Sequence, residues 1–204
     1  MNDFIYLASQ SPRRRALLEQ IGVPYRLLLP DTPENFEDEL PDESPVHYVR
    51  RVTEKKLDAA VDYFLRQNLP PAPILCADTA VVAKQNLLRK PHDMDEARAM
   101  LRRLSGNSHH VLTAVAVAHE NRRESEISVS QVRFATLSPA DIELLLGFHE
   151  WRDKAGGYAV QGRSAAWIEN ISGSYSGVVG LPLQITLKLL RRAGFRFAAE
   201  INPD

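Results

Sequence analysis

The sequence predicts an α/β fold in which a mixed, twisted sheet is flanked by helices. Three observations predict it. Short apolar runs alternate with helix starts marked by Ser-Pro or Asp in the first half, β-type runs pair up in the second, and no repeat or low-complexity tract intervenes. At 204 residues and 44% apolar, the chain has the material for one good core. The order of elements suits a single domain over residues 1–194, with two lobes and a cleft between them, followed by a loose tail at 195–204.

Residues 4–8 form a short apolar run, read as a strand. Ser11 as N-cap, Pro12 at the first helical position and Gly22 just past the end frame a helix. A second strand follows at 25–29, and the acidic, proline-rich stretch 30–44 is a surface loop long enough to carry function. Ser44 and Pro45 repeat the helix signal and open a long amphipathic helix that ends near Asn68. Residues 73–82 are almost continuously apolar and β-type, broken by one carboxylate, Asp78. Asp93 with Glu96 starts a helix that Gly106 closes.

Strands at 111–118 and 127–134 are joined by a polar turn. Apolar residues change phase between Ile127 and Val129 on one side and Val132 and Phe134 on the other, which predicts a bulge near Gln131. Ser138 and Pro139 open a further helix, and the glycines from Gly156 to Gly180 punctuate a turn-rich segment with short strands at 158–160 and 166–168. Pro182 opens the last helix, which Gly194 ends.

Charge narrows the function classes. With 25 basic against 26 acidic residues, the chain has no global field to attract nucleic acid or an anionic membrane, so a polyanion must be met by a local cluster. A nucleic-acid binder built on the arginine triplet 13–15 would need a larger basic and aromatic surface. The single cysteine, Cys76, cannot form an intramolecular disulfide and reads as buried packing in a reduced compartment. No stretch approaches the ~20 apolar residues of a membrane span. The N-terminus lacks a basic region followed by an apolar one, so a cytoplasmic location is expected.

Four features carry chemistry. Where the first strand gives way to the first helix, Ser9, Arg13 and Arg14 stand beside the free amides of a helix start, a place where an anion binds; exposed arginines on a helix start are the other reading. Asp78 interrupts an otherwise buried strand, and an ionised carboxylate there must be paired or metal-bound. Thr79 follows it and, by strand alternation, points to the opposite face unless the strand ends. Lys56 and Lys90 are lone lysines, each readable as solvated surface. If the ligand is a triphosphate, a divalent cation is expected, with Asp78 and a loop acid such as Glu34 as its oxygen donors. No Cys/His set has zinc spacing, and His109 with His110 reads as a surface pair at a strand start.

In order along the chain, the motifs Leu7-Ala8-Ser9-Gln10-Ser11-Pro12-Arg13-Arg14, Arg51 with Lys56, Ala77-Asp78-Thr79, Lys90-Pro91, Leu104-Ser105-Gly106, Thr113-Ala114-Val115, Asp153 through Gly162 and Val179-Gly180-Leu181-Pro182-Leu183 resemble the Maf family of nucleoside triphosphate pyrophosphatases. No single motif decides the matter, but the ordered set is specific and covers Phe4 to about Gly194. The resemblance implies an elongated fold like that of inosine triphosphate pyrophosphatases, often homodimeric, which hydrolyses the bond between the α and β phosphates with Mg²⁺ or Mn²⁺. Carried over residue by residue, it implies that Ser9, Arg14, Lys56 and Lys90 hold phosphates. Glu34 would assist the metal, and Asp78 would be the general base or metal carboxylate. Arg13, Thr79 and Gln161 resemble the positions that separate the dTTP and UTP branch from the branch acting on methylated GTP. The stretch 84–89 lacks the glycines expected before Lys90-Pro91, so a hairpin turn of different shape is expected there. Two functions follow: a pyrophosphatase that cleans nucleotide pools, or a nucleotide-binding regulator of cell division and septum formation. Release of pyrophosphate would separate them.

Overall fold

Strand β1 (Ile5–Leu7) pairs in parallel with β2 (Tyr25–Leu27) on one side and β3 (Ile74–Ala83) on the other. The computed structural model describes residues 3–31 and 34–197, with Glu34 and Asn35 by backbone only. Between these strands lie helices α1 (Pro12–Gln20) and α2 (Pro45–Arg66). The remaining elements are β4 (Asn86–Leu88), α3 (Met94–Leu104), β5 (Ser108–His119), β6 (Arg122–Phe134), α4 (Pro139–Gly147), β7 (Ile168–Ser172), α5 (Tyr175–Val179) and α6 (Leu183–Arg192). The sheet runs β2-β1-β3-β5-β6-β7, with β4 pairing β3. Parallel β1–β2 and β1–β3 pairs coexist with antiparallel β3–β4 and β6–β7 pairs, so the sheet is mixed as expected.

The chain divides into two compact units. The first comprises Met1–Asp78, Ala114–Ile127 and Gly180–Asp204; the second comprises Thr79–Thr113 and Ser128–Val179. In the first, Tyr6, Leu57, Ala60, Ile74, Cys76 and Ala116 belong to one buried cluster, with Phe64 packed edge-on against Tyr6. Cys76 is fully buried there, and desolvation pushes its thiol up to about 12, so it is inert packing. Phe195, at the start of the expected tail, is buried and donates its N–H to the Leu190 carbonyl.

The helix starts follow the sequence closely. The hydroxyl of Ser44 accepts from the His47 amide, Asp93 caps Glu96, and Ser138 forms a reciprocal capping box with Asp141. Pro45 and Pro139 supply the fixed φ of a first turn. The β3–β4 hairpin turns on Lys84 and Gln85, both in the left-handed region that a tight primed turn requires, achieved here without glycine. The side-chain amide of Asn86 donates to the Lys84 carbonyl and braces that turn.

Three sequence expectations change. Against β7, the irregularity expected near Gln131 lies between Arg133 and Phe134, two residues further on. The inward positions of β6 are Ser128, Ser130, Val132 and Phe134 in one unbroken phase, while Val129 points outward, 55% exposed. Two serines therefore take core positions that an apolar count assigns elsewhere. Residues 158–160 form no strand, and 166–168 lie at the junction of a 3-10 turn (Arg163–Trp167) with β7, because short turns held by Ser164 replace ladder pairing. His109 is buried rather than on the surface, because β5 begins at Ser108 and its alternation sends His109 inward and His110 outward. Gly156 and Gly157 are buried against protein. A Cβ on Gly156 would lie 3.0 Å from Val81 Cγ1, and Gly156 has a φ of 76°.

Candidate active site

The first unit gathers two clusters. At the β1–α1 junction, Ser9 is 8% exposed, and its Oγ accepts from Arg14 Nη1 at 3.0 Å and from the Ser11 amide at 3.2 Å. Arg14 Nε donates to the Gly180 carbonyl at 2.8 Å, which fixes the guanidinium across the start of α1. Burial is the main influence on Arg14 and lowers its pKa, although Asp78 pulls in the other direction. An arginine remains charged at any physiological pH, so this is a desolvated, pre-positioned cation. Ser11 does not cap α1 through its side chain, in contrast to the caps of α2, α3 and α4, and the first turn holds no acid, in contrast to α3 and α4. Backbone amides, a helix dipole and a guanidinium therefore converge on one point, a donor set matched to phosphate oxygens. Arg13 is half-buried in the same first turn.

The second cluster is a carboxylate–ammonium–carboxylate chain. Asp78 is 9% exposed, and its Oδ1 accepts from Lys56 Nζ at 2.7 Å. Lys56 also donates to Glu37 Oε1 at 2.5 Å, from the 3-10 turn Glu34–Glu37. Desolvation is the largest influence on Lys56 and lowers its pKa, but the attraction and hydrogen bonds of Asp78 and Glu37 together outweigh it, and the net direction is upward. Lys56 is thus a cation held in place by two acids. The loop that brings Glu37 is tied down by Arg51, whose Nε and Nη2 grip the Glu43 carboxylate at 2.6 Å each while Nη2 also reaches the Asp38 carbonyl. This explains why Arg51 and Lys56 belong to one motif: one fixes the loop, the other uses it.

The second unit holds the other expected residues. Thr79 is half-buried, with its Oγ1 3.0 Å from Thr113 Oγ1. Because β3 continues to Ala83, Asp78 and Thr79 follow strand alternation, as expected. Lys90 and Gln161 are exposed. His109 Nε2 lies 2.8 Å from the Tyr158 hydroxyl, and its Nδ1 finds no partner among the described residues. Burial, with a smaller effect from His110, lowers its pKa to about 4, so it is neutral at physiological pH. Phe134 packs edge-on to Tyr158 and completes an aromatic cluster that anchors the segment leading to Gln161.

A family model described as Maf-like protein matches residues 4–193. The chain belongs to the Maf family. It is 54% identical over 197 residues to a dTTP/UTP pyrophosphatase of Polaromonas sp. strain JS666, across 95% of this chain and 98% of that one. It is 48% identical to a dTTP/UTP pyrophosphatase of Albidiferax ferrireducens, across 96% and 100%. Another protein so named, from Nitrosomonas europaea, is 45% identical across 93% and 94%.

Within this Maf-family chain, sequence reasoning missed Glu37 and gave Thr113 no role beyond its place in a motif. The loop acid seen at Lys56 is Glu37, whereas the expected Glu34 has its side chain outside the described residues. Glu37 stands one 3-10 turn further along the same loop, and a lysine paired with two acids was the signal to seek. Thr113 is a polar residue in an apolar strand, a much weaker signal than the carboxylate of Asp78 because threonine is common in strands. Asp78 and Glu37 offer hard carboxylate oxygens of the kind a Mg²⁺-type ion takes, but both are bonded to the Lys56 ammonium, and among the described residues no group of three or more His, Cys, Asp or Glu side chains could hold a metal ion. Among the described residues, no helix is long and apolar enough to cross a membrane.

Proposed function

We propose that this chain is a nucleoside triphosphate pyrophosphatase that converts dTTP and UTP to the monophosphate and pyrophosphate. One observation carries the reading: a buried carboxylate, Asp78, is held 2.7 Å from Lys56 in a chain 54% identical, nearly end to end, to a protein named dTTP/UTP pyrophosphatase. Asp78 accepts a proton from the attacking water at the α phosphorus, and Lys56, 2.7 Å away, holds that carboxylate in position. Ser9, Arg14 and the amides of α1 hold phosphate oxygens and stabilise charge on the leaving pyrophosphate, as preorganised donors do. Lys90, on the second unit, adds a further cation to the phosphates.

Asp78 and Glu37, with Glu34 from the same loop, are the residues that would hold a divalent cation, Mg²⁺ or Mn²⁺. When bound, that cation neutralises charge on the triphosphate. Arg13, Thr79 and Gln161 select the base, the glutamine amide offering both a donor and an acceptor to the carbonyl and N–H pattern of thymine or uracil. A cytoplasmic, homodimeric enzyme goes with this reading. The test is a pyrophosphate-release assay with dTTP, UTP, CTP, GTP and ATP and either metal. Preferential release from dTTP and UTP supports the proposal; binding of these nucleotides without turnover would favour a regulator instead.

A further inference from the structure

Gln161 is exposed, and its side-chain amide makes no hydrogen bond among the described residues. The turn that carries it is held at several other points. Ser164 Oγ accepts from the Ala159 amide at 3.2 Å and donates to the Ala159 carbonyl at 2.7 Å, and the same carbonyl accepts from the Gly162 amide at 2.9 Å. One carboxylate closes the turn. Glu150 Oε2 accepts from the Arg163 amide at 2.8 Å, and a Cβ on Gly162 would collide with that same oxygen. The carboxylate thus occupies the space that a side chain at residue 162 would need. Glu150 is itself fixed by its neighbours. The chain leaves α4 through Phe148 and His149, the latter with a φ of 56°, and Trp151 is buried and donates Nε1 to the Leu146 carbonyl at 3.2 Å. The Arg163 guanidinium lies over the Phe148 ring, 4.3 Å from its centre, a second tie between the same two segments.

We infer that Glu150 is a positioning residue for base selection: its carboxylate, seated against Gly162 and bonded to the Arg163 amide, fixes the turn that presents Gln161 to thymine or uracil. The inference rests on the proposed reading of Gln161 as a base contact. A hydrogen bond weakens steeply once its length or angle departs from the optimum, so an amide that must match a carbonyl and an N–H at once needs a fixed backbone behind it. Among the described residues, Gln161 is held through its backbone alone, since its side chain has no hydrogen-bond partner. Glu150 acts through the Arg163 amide and Gly162, without touching the nucleotide. What it supplies is an acceptor oxygen at the right reach, rather than a charge.

The experiment compares kcat/KM for dTTP, UTP and GTP in the wild type, Glu150→Ala, Glu150→Gln, Gly162→Ala, Gln161→Leu and the double variant Glu150→Ala with Gln161→Leu, with melting temperatures alongside. Glu150→Ala should lower the dTTP/GTP and UTP/GTP ratios about tenfold, whereas Glu150→Gln, which keeps an acceptor oxygen at the same reach, retains the wild-type ratios. Gly162→Ala pushes the carboxylate out of the turn without removing it and should lower the ratios likewise, so it reads the same effect if Glu150→Ala fails to fold. In the double variant the ratios should equal those of Gln161→Leu alone, because Glu150 acts on the base through Gln161. General damage to the fold lowers all three substrates together and leaves the ratios where they were. Wild-type ratios in a folded Glu150→Ala or Gly162→Ala variant, or a double variant whose losses multiply, overturn the role of Glu150 and leave the pyrophosphatase reading standing. Wild-type ratios in Gln161→Leu overturn the reading of Gln161 as a base contact and this inference with it.

Discussion

Replacing His109 by glutamine should flatten the dependence of stability on pH. The imidazole is 1% exposed, and burial lowers its pKa from 6.5 to about 4, so the fold accepts it only as the neutral ring. The unfolded chain binds the extra proton between those two values, and stability therefore rises with pH across that window and falls as acid is added. At about 1.4 kcal/mol per pH unit, the full difference is about 3 kcal/mol below pH 4 and about 2 kcal/mol at pH 5. At pH 6.5 half of that slope remains, and it is essentially gone by about pH 7.5, where both states are neutral. Glutamine keeps a polar group near the Tyr158 hydroxyl but does not titrate. Urea unfolding of both proteins from pH 5 to 7.5 isolates the effect, since carboxylates elsewhere act equally on the two curves. The wild type should lose about 2 kcal/mol more than His109→Gln on going from pH 7.5 to pH 5. Parallel curves would show that His109 already accepts a proton in the folded state, and the neutral, buried imidazole would have to be abandoned.

Two further outcomes follow from the site. Asp78→Asn keeps the shape of the carboxylate beside Lys56 but cannot take the water's proton, so turnover should drop by ~10²–10⁴ while circular dichroism shows an intact fold; wild-type rates in that variant would remove Asp78 from the chemistry. Gln161→Leu should erode the preference of kcat/KM for dTTP and UTP over GTP, because polar edges of the base are left unpaired, whereas unchanged ratios with a lowered melting temperature would make Gln161 a turn residue only.

The helices were legible because their starts are chemical. Ser44, Asp93 and Ser138 stand where a hydroxyl or carboxylate must meet a free amide, and Pro45 and Pro139 fit only a first turn. Asp78 was legible because a carboxylate in an apolar strand has few ways to be satisfied. Other features left weaker marks. The acids of the loop after β2 have no period, and only the backbone path of the turn ending at Glu37 brings one of them to Lys56. Thr113 is legible only through the motif Thr113-Ala114-Val115, because threonine sits comfortably in strands and nothing in the sequence marks its burial against Gly177. His109 was misread through a strand boundary: three more residues of β5 reverse the side on which it falls. Residues 158–160 looked extended by composition, yet hydrogen bonds between Ser164 and Ala159 curl that stretch into turns.

Hydrolysis in H₂¹⁸O bears most directly on the proposed chemistry at Asp78. Purified protein is incubated with dTTP and Mg²⁺ in labelled water, and the products are weighed by mass spectrometry. Attack at the α phosphorus puts the label in dTMP and leaves the pyrophosphate unlabelled, which is the expected result. Label in pyrophosphate, or release of orthophosphate and dTDP, would contradict it.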